Sequence, residues 1–271
     1  MNKLEILIGK IKFWVNQEGY ESYWKLVNQG KWEPETFSVF DSNIDEQTLF
    51  IDVGGWIGST SLYAAQIAKK TFILEPDPIA FKRLKENLDL NLKILSKKNI
   101  NIFNLALWYK KTSISFFSFS QLGDSSSSII RNSKNKKKGA LTKFSFEAET
   151  ITFDKLIKQT DLSEYKKIFV KIDIEGAEYE LFDSLLDQLS KINAVFLVSA
   201  HPWLIHKNSK KGFIRRFKQA LDHWKFCQKI KMNRFRLVTS NKKLPYIPIL
   251  NAIGWILIGR MHQDILAIPK T

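Results

Sequence analysis

A single cysteine, Cys227, stands among 271 residues, so no disulfide can close within the chain and no zinc site can rest on a set of cysteine thiolates. Long apolar runs are also missing. Residues 244–259 come nearest, but Pro245, Pro248 and Asn251 interrupt them, and the stretch falls short of the ~20 residues a membrane helix needs. The first ten residues contain no apolar stretch followed by a small-residue cleavage site, so no secretory signal is expected. These absences point to a reducing, cytoplasmic setting with no membrane span.

Acids are few relative to bases: 27 Asp and Glu face 42 Lys and Arg, for a net charge of +15. The excess is local. Arg131–Lys143 carries six basic residues and no acid, and Lys207–Arg236 carries eleven against Asp222 alone. Together these segments give +16 and leave −1 for the rest of the chain. An anionic partner (nucleic acid, phospholipid headgroups or an acidic glycan) is one explanation. Lysine outnumbers arginine 35 to 7, so compositional drift toward lysine is the other.

What is present is an α/β pattern with one sizeable core. Leu49, Phe50, Ile51 and Val53 form a short apolar run, as in a strand buried on both faces of a parallel sheet. Gly54, Gly55 and Gly58 follow where the backbone must approach a ligand and a helix must begin, over Ser59–Ala68. A second strand over 71–75 ends in Glu75, placed to accept hydrogen bonds from a ribose diol. Further strands are expected at 100–105, 113–119, 168–172 and 194–198, with a helix over Pro78–Asn91. Upstream, Leu4, Leu7, Ile11, Trp14 and Val15 at helical spacing predict an amphipathic helix, and the aromatic-rich Tyr20–Phe40 an irregular flap or short helices. Ile214, Phe217, Leu221 and Trp224 predict a later helix with a basic outer face, and 226–259 contains extended segments around Pro245 and Pro248, ending with Ile253–Ile258. Gly123–Lys143 reads as a mobile loop.

The glycines fall as G-G-x-x-G behind Asp52, unlike the G-x-G-x-x-G of dinucleotide folds. A carboxylate there repels pyrophosphate but suits an ammonium and a sulfonium, which favours S-adenosylmethionine over NAD. The competing reading is a βα turn with glycines kept for packing. The run Lys171-Ile-Asp-Ile-Glu-Gly-Ala-Glu178 delivers Asp173 and Glu175 to a strand's carboxyl end, where open α/β sheets bind ligands, and the next strand adds His201. Asp173 or Glu175 as a plain helix cap is the alternative.

Asp52-x-Gly-Gly-Trp-Ile-Gly58, Glu75-Pro-Asp-Pro78, Asn104-Leu-Ala-Leu107, Thr152-Phe-Asp154 and the run ending at Glu178 resemble, in that order, the motifs of the FkbM-type methyltransferase family. The resemblance covers residues 32 to about 202 and departs from the commonest pattern at Gly55 and Trp56. It implies a class I, Rossmann-like, mostly parallel sheet with helices on both faces. The expected organisation is an N-terminal helical and aromatic extension over 1–48 and an S-adenosylmethionine-dependent methyltransferase domain over 49–271. The resemblance implies O-methylation of a sugar, glycan, glycolipid or related natural product. It would place Gly54, Gly55 and Gly58 along the methionine part of the cofactor, Glu75 on the ribose, and Asp77 with Ala106 near the adenine.

An alcohol needs a base as it attacks, and Asp173 is the first choice by position, with His201 second. Asp173, Glu175 and His201 also form a possible ligand set for a divalent metal, which is not expected because no motif enforces the geometry. Ribose O-methylation of RNA is the alternative enzyme reading, and a non-catalytic nucleoside-binding scaffold the alternative outside enzymes. Pyrimidine C5 methylation needs a cysteine at a catalytic turn, whereas Cys227 falls in a basic, strand-like stretch far downstream.

Overall fold

The computed structural model describes residues 2–95, 99–118, 121–125, 127–129, 144–206, 212–239, 245–258 and 264–270. The chain opens with strands β1 (Lys3–Ile8) and β2 (Ile11–Asn16), then helices α1 (Glu21–Asn28) and α2 (Pro34–Asn43). Strand and helix then alternate through β3 (Thr48–Val53), α3 (Ser59–Ile67), β4 (Lys70–Leu74), α4 (Pro78–Asp89), α5 (Leu92–Leu95) and β5 (Asn99–Phe103). Strands β6 (Ala106–Leu107), β7 (Ser113–Phe117) and β8 (Ser145–Ile151) form a small separate sheet. The main sheet resumes with α6 (Phe153–Ile157), β9 (Lys167–Ile172), α7 (Glu178–Lys191) and β10 (Val195–Ser199). It finishes with α8 (Phe213–Met232), β11 (Phe235–Thr239), α9 (Pro248–Ile258) and β12 (Asp264–Pro269).

The seven main strands lie in the order β11-β12-β10-β9-β3-β4-β5. Five are parallel, and β12 runs antiparallel to both its neighbours. The chain leaves β3 toward β4 and β5, then returns to β9 on the other side, which makes β3 and β9 the switch point where the carboxyl ends open a crevice. Strand β3 is buried throughout. Its Leu49, Ile51 and Val53 pack with Leu181, Phe182 and Leu185 of α7, whereas Phe50 joins Trp24, Phe40 and Leu62 on the opposite face. Layers on both faces explain why this strand reads as unbroken apolar sequence.

The N-terminal helix expected from Leu4, Leu7, Ile11, Trp14 and Val15 is instead the β1–β2 hairpin. Gly9, at φ +57°, turns the chain between Ile8 and Ile11. The period that wins is two: Ile6, Phe13 and Val15 are buried, while Leu7 is exposed. Asn87 and Asn91 hold the hairpin's free edge, accepting from the Asn16 and Trp14 amides at 2.8 Å each. Two later expectations also change. Residues 248–258 are helical rather than extended, with Pro248 at the start where a missing N–H costs nothing. Cys227 is buried inside α8, not in a strand-like stretch. No described helix is long and apolar enough to cross a membrane. Arg131–Lys143, with most of the expected mobile loop, lies outside the described residues, as do Lys210 and Lys211.

Candidate active site

A cavity of about 430 Å³ opens beyond the carboxyl ends of β3, β4, β9 and β10, roofed by Tyr23, Trp32 and Glu33 from the N-terminal segment. That volume falls within the usual range for a small-molecule site. Of the residues singled out for the cofactor, Gly54, Gly55, Glu75 and Ala106 line the cavity; Asp52, Gly58 and Asp77 do not.

Each of those three has another partner. Asp52 is fully buried beneath the turn, accepting from Ser61 Oγ at 2.6 Å and Thr60 Oγ1 at 3.0 Å, with Lys171 Nζ 3.6 Å from its second oxygen. Its carboxylate therefore anchors α3 and Lys171 rather than meeting a ligand's cation. Gly58 starts α3 at φ +99°, and a Cβ there would meet Leu84 at 2.8 Å, so packing and backbone geometry account for it. Asp77 caps α4 by accepting from the Ile79 and Ala80 amides, and its other oxygen accepts from Gly123 N–H at 2.8 Å. Gly54 combines both demands. It lines the cavity at φ +89°, and an added Cβ would lie 2.0 Å from the Asp173 carbonyl oxygen.

Glu75 leaves β4 into the cavity wall, with the amides of Trp56 and Asp77 each donating to one of its oxygens at 2.8 Å. Burial outweighs those bonds and pushes its carboxyl up to about 8. A carboxylate this desolvated gains from further donors, and a diol supplies two. This is the observation that fits an S-adenosylmethionine ribose to the site.

At the tips of β9 and β10, Asp173, Glu175 and His201 come together. His201 Nε2 lies 3.7 Å from Asp173 Oδ1 and 3.8 Å from Glu175 Oε1. Glu175 and Gly176 both take left-handed backbone, at φ +51° and +94°, and reverse the chain between β9 and α7. Glu178, wholly buried at the start of α7, fixes the imidazole from behind. Its Oε1 accepts from the His201 amide at 2.6 Å and sits 3.3 Å from Nδ1, while Oε2 accepts from Gly176 N–H at 2.7 Å. Burial opposes a charge on His201, but the Glu178 hydrogen bond and the charges of Asp173, Glu178 and Glu175 prevail and push it up to about 10. The half-neutral imidazole expected near physiological pH is thus an imidazolium. On the other side of Asp173, Lys171 Nζ lies 3.5 Å from Oδ2. Burial works against its charge too, yet Asp52, Asp173 and Glu33 outweigh it and hold Lys171 protonated.

Asp173 therefore stands between two cations. The ligand atoms of Asp173, Glu175 and His201 lie within 4.8 Å of one another, a grouping that could also take a metal ion. A protonated imidazole offers no lone pair, so a metal here must first displace that proton.

Residue-by-residue reading missed Lys171, Glu178, Glu33 and Asp264, all of which line or brace the site. Lys171 and Glu178 were in plain view within one motif, and a lysine inside an apolar strand was the available signal. Burial pushes Glu33 up to about 7 and also raises Asp264, whose Oδ1 accepts from Ser199 Oγ at 2.8 Å. No residue of α8 lines the cavity, so the described part of the basic excess is not in its wall.

Residues 52–226 match the model of the methyltransferase FkbM domain. Hexuronic acid methyltransferase AglP of Haloferax volcanii is 25% identical over 180 residues, covering 66% of this chain and 67% of that protein. The crystal structure of methyltransferase FkbM from Methylobacillus flagellatus aligns over 94% of this chain at TM-score 0.49 and 13% identity, and the chain spans only 55% of its length. An rRNA methylase from Streptococcus thermophilus aligns over 87% of this chain and 93% of its own at TM-score 0.41 and 7% identity.

Proposed function

The chain belongs to the FkbM methyltransferase family, and on that premise we propose that it is an O-methyltransferase acting on a hydroxyl of a sugar or glycan, with Asp173 as the base. S-adenosylmethionine, when bound, supplies an electrophilic methyl group on its sulfonium. Glu75 holds the ribose hydroxyls, the Gly54–Gly55 backbone borders the methionine part, and Ala106 borders the adenine. Asp52, Gly58 and Asp77 act one layer back, by setting the turn, the helix start and the Gly123 wall.

The observation that carries the reading is Glu75, a buried carboxyl whose oxygens can still take further hydroxyl donors, in the wall of a cavity of the right size. Asp173, which lines the same cavity, takes the acceptor's proton on a carboxylate oxygen. Lys171 and the His201 imidazolium, 3.5 and 3.7 Å from its two oxygens, hold it in place. Such a base typically contributes 10²–10⁴-fold, on top of the larger gain from aligning the reactants. With Glu178 holding it protonated, His201 orients and stabilises rather than accepting the proton first. The relative named for hexuronic acid supports a sugar acceptor over RNA.

Transfer of labelled methyl from S-adenosylmethionine to hexuronic-acid glycans, neutral glycans and RNA tests this. Label in a glycan is expected. Label in RNA alone moves the acceptor to ribose, and cofactor binding without transfer to any of them favours a scaffold.

A further inference from the structure

Helix α8 carries five large apolar residues on the side away from the core. Phe213, Ile214, Phe217, Leu221 and Trp224 recur at three- and four-residue spacing along one face, and all five are exposed, Phe213 by 65% and Ile214 by 69%. The face that packs inward is instead Gln219, Ala220, His223, Phe226, Cys227 and Ile230. Helix α9 repeats the arrangement. It has no charged residue, and Ile249, Leu250, Ile253 and Leu257 are exposed. The two helices pack on each other, so one helical pair presents both stripes. Exposed apolar surface on this scale marks an interaction site.

Charge selects the partner. Helix α8 holds Arg215, Arg216, Lys218, Lys225, Lys229 and Lys231 against one acid, Asp222. Lys218 and Lys225, two turns apart, border the apolar stripe, where long side chains reach past an apolar layer to phosphate oxygens. A like-charged second copy is repelled by such a border, whereas an anionic lipid surface is attracted. The inner side of the same helical pair reaches the cavity wall. Trp203 lines the cavity, and its ring centroid lies 6.3 Å from that of Trp255 in α9. Gln219 of α8 accepts from Trp255 Nε1 at 3.2 Å and donates to the Ile205 carbonyl at 2.8 Å.

We infer that the α8–α9 face docks on an anionic phospholipid bilayer, its apolar stripes in the headgroup boundary and its lysines on lipid phosphates. The docking rests on this face alone.

Flotation of the full chain with vesicles of mixed phosphatidylglycerol and phosphatidylcholine, compared with phosphatidylcholine alone, is the test. Anionic vesicles should capture at least ~10-fold more protein, and the excess should shrink as salt rises. Phe217→Ser with Leu221→Ser, and separately Lys218→Glu with Lys225→Glu, should each weaken capture by ~10-fold or more. Circular dichroism of these surface variants should match the parent. No preference for anionic vesicles, or capture unaltered in both variants, overturns the inference. So does a dimer in solution that the Phe217→Ser, Leu221→Ser pair dissociates, because a second copy then covers the face.

Discussion

The cavity and the α8–α9 face break the same rule in opposite directions. In the cavity wall and just behind it, ionisable groups are buried: Lys171, Glu75 and His201 in the wall and Glu178 behind His201 are each under a tenth exposed. On the α8–α9 face, large apolar groups are in solvent. Buried charge survives because every group there has a counter-charge or donor within reach, and the cost of desolvation appears as displaced proton affinities. Exposed apolar surface has no such compensation among the described residues, and a partner outside the chain would supply it. The first pattern marks chemistry and the second marks contact.

The sharpest way to break this contrast is Asp173→Asn, which keeps shape and removes the charge between Lys171 and His201. Turnover should fall by ~10²–10⁴-fold while affinity for S-adenosylhomocysteine, measured by calorimetry, barely changes. Full activity in that variant would remove Asp173 as the base. Activity that a chelator abolishes and a divalent ion restores would instead make the Asp173, Glu175 and His201 cluster a metal site.

Glu75→Ala comes second in size. It leaves a ribose without its acceptor, and a hydrogen bond to a charged group is worth ~1.5–3 kcal/mol, so affinity for S-adenosylhomocysteine should drop roughly 10- to 150-fold.

His201 gives a third test, through pH. Its folded value of about 10 lies above the ordinary 6.5, so folding strengthens its hold on a proton. The stability it adds is complete below about pH 6.5 and disappears as pH rises through about 10. Melting temperature should therefore fall more steeply across that window in the parent than in Glu178→Gln, which removes the strongest support for the imidazolium. Parallel curves would mean the cluster is not coupled as described.

The smallest effect is a proton count. Glu75 at about 8 is mostly protonated at neutral pH, and hydroxyl donors favour its ionised form. Binding of S-adenosylhomocysteine at pH 7 should release up to about one proton, read from the buffer dependence of the binding heat, and the release should vanish above pH 9. A heat independent of buffer at pH 7 would place Glu75 away from the ligand.

Much of this was legible in residue order alone. The apolar run of β3, the acid ending β4 and the Asp173–Glu178 segment pointed to a parallel α/β sheet with its site at the strand tips, because both faces of those strands are buried and period and composition then agree. The N-terminal hairpin was misread because Leu4, Leu7 and Ile11 satisfy a helical period while Ile6, Phe13 and Val15 satisfy alternation. Only the surface they pack on, and the asparagines of α4, select between the two. Helix α9 was hidden by Pro245, Pro248 and its isoleucines, which suit extended chain as well as a helix's first turn.

Sequence by itself determined the sheet, the glycine turn and which acids stand at strand ends, since these follow from local period, backbone freedom and chain order. Tertiary structure alone decided how those groups are used. Asp52 turned away to Thr60, Ser61 and Lys171, because a buried carboxylate goes to the nearest donors. His201 became a cation because Glu178, 23 residues earlier, reaches its Nδ1. The orientation of α8 reversed expectation for the same reason. His223 is bonded by the hydroxyls of Tyr179 and Tyr246 at 2.9 and 2.6 Å, so its polar side can be buried while Phe217 and Trp224 face outward. Periodicity shows that a helix has two faces, and only the partners available in three dimensions decide which one is inside.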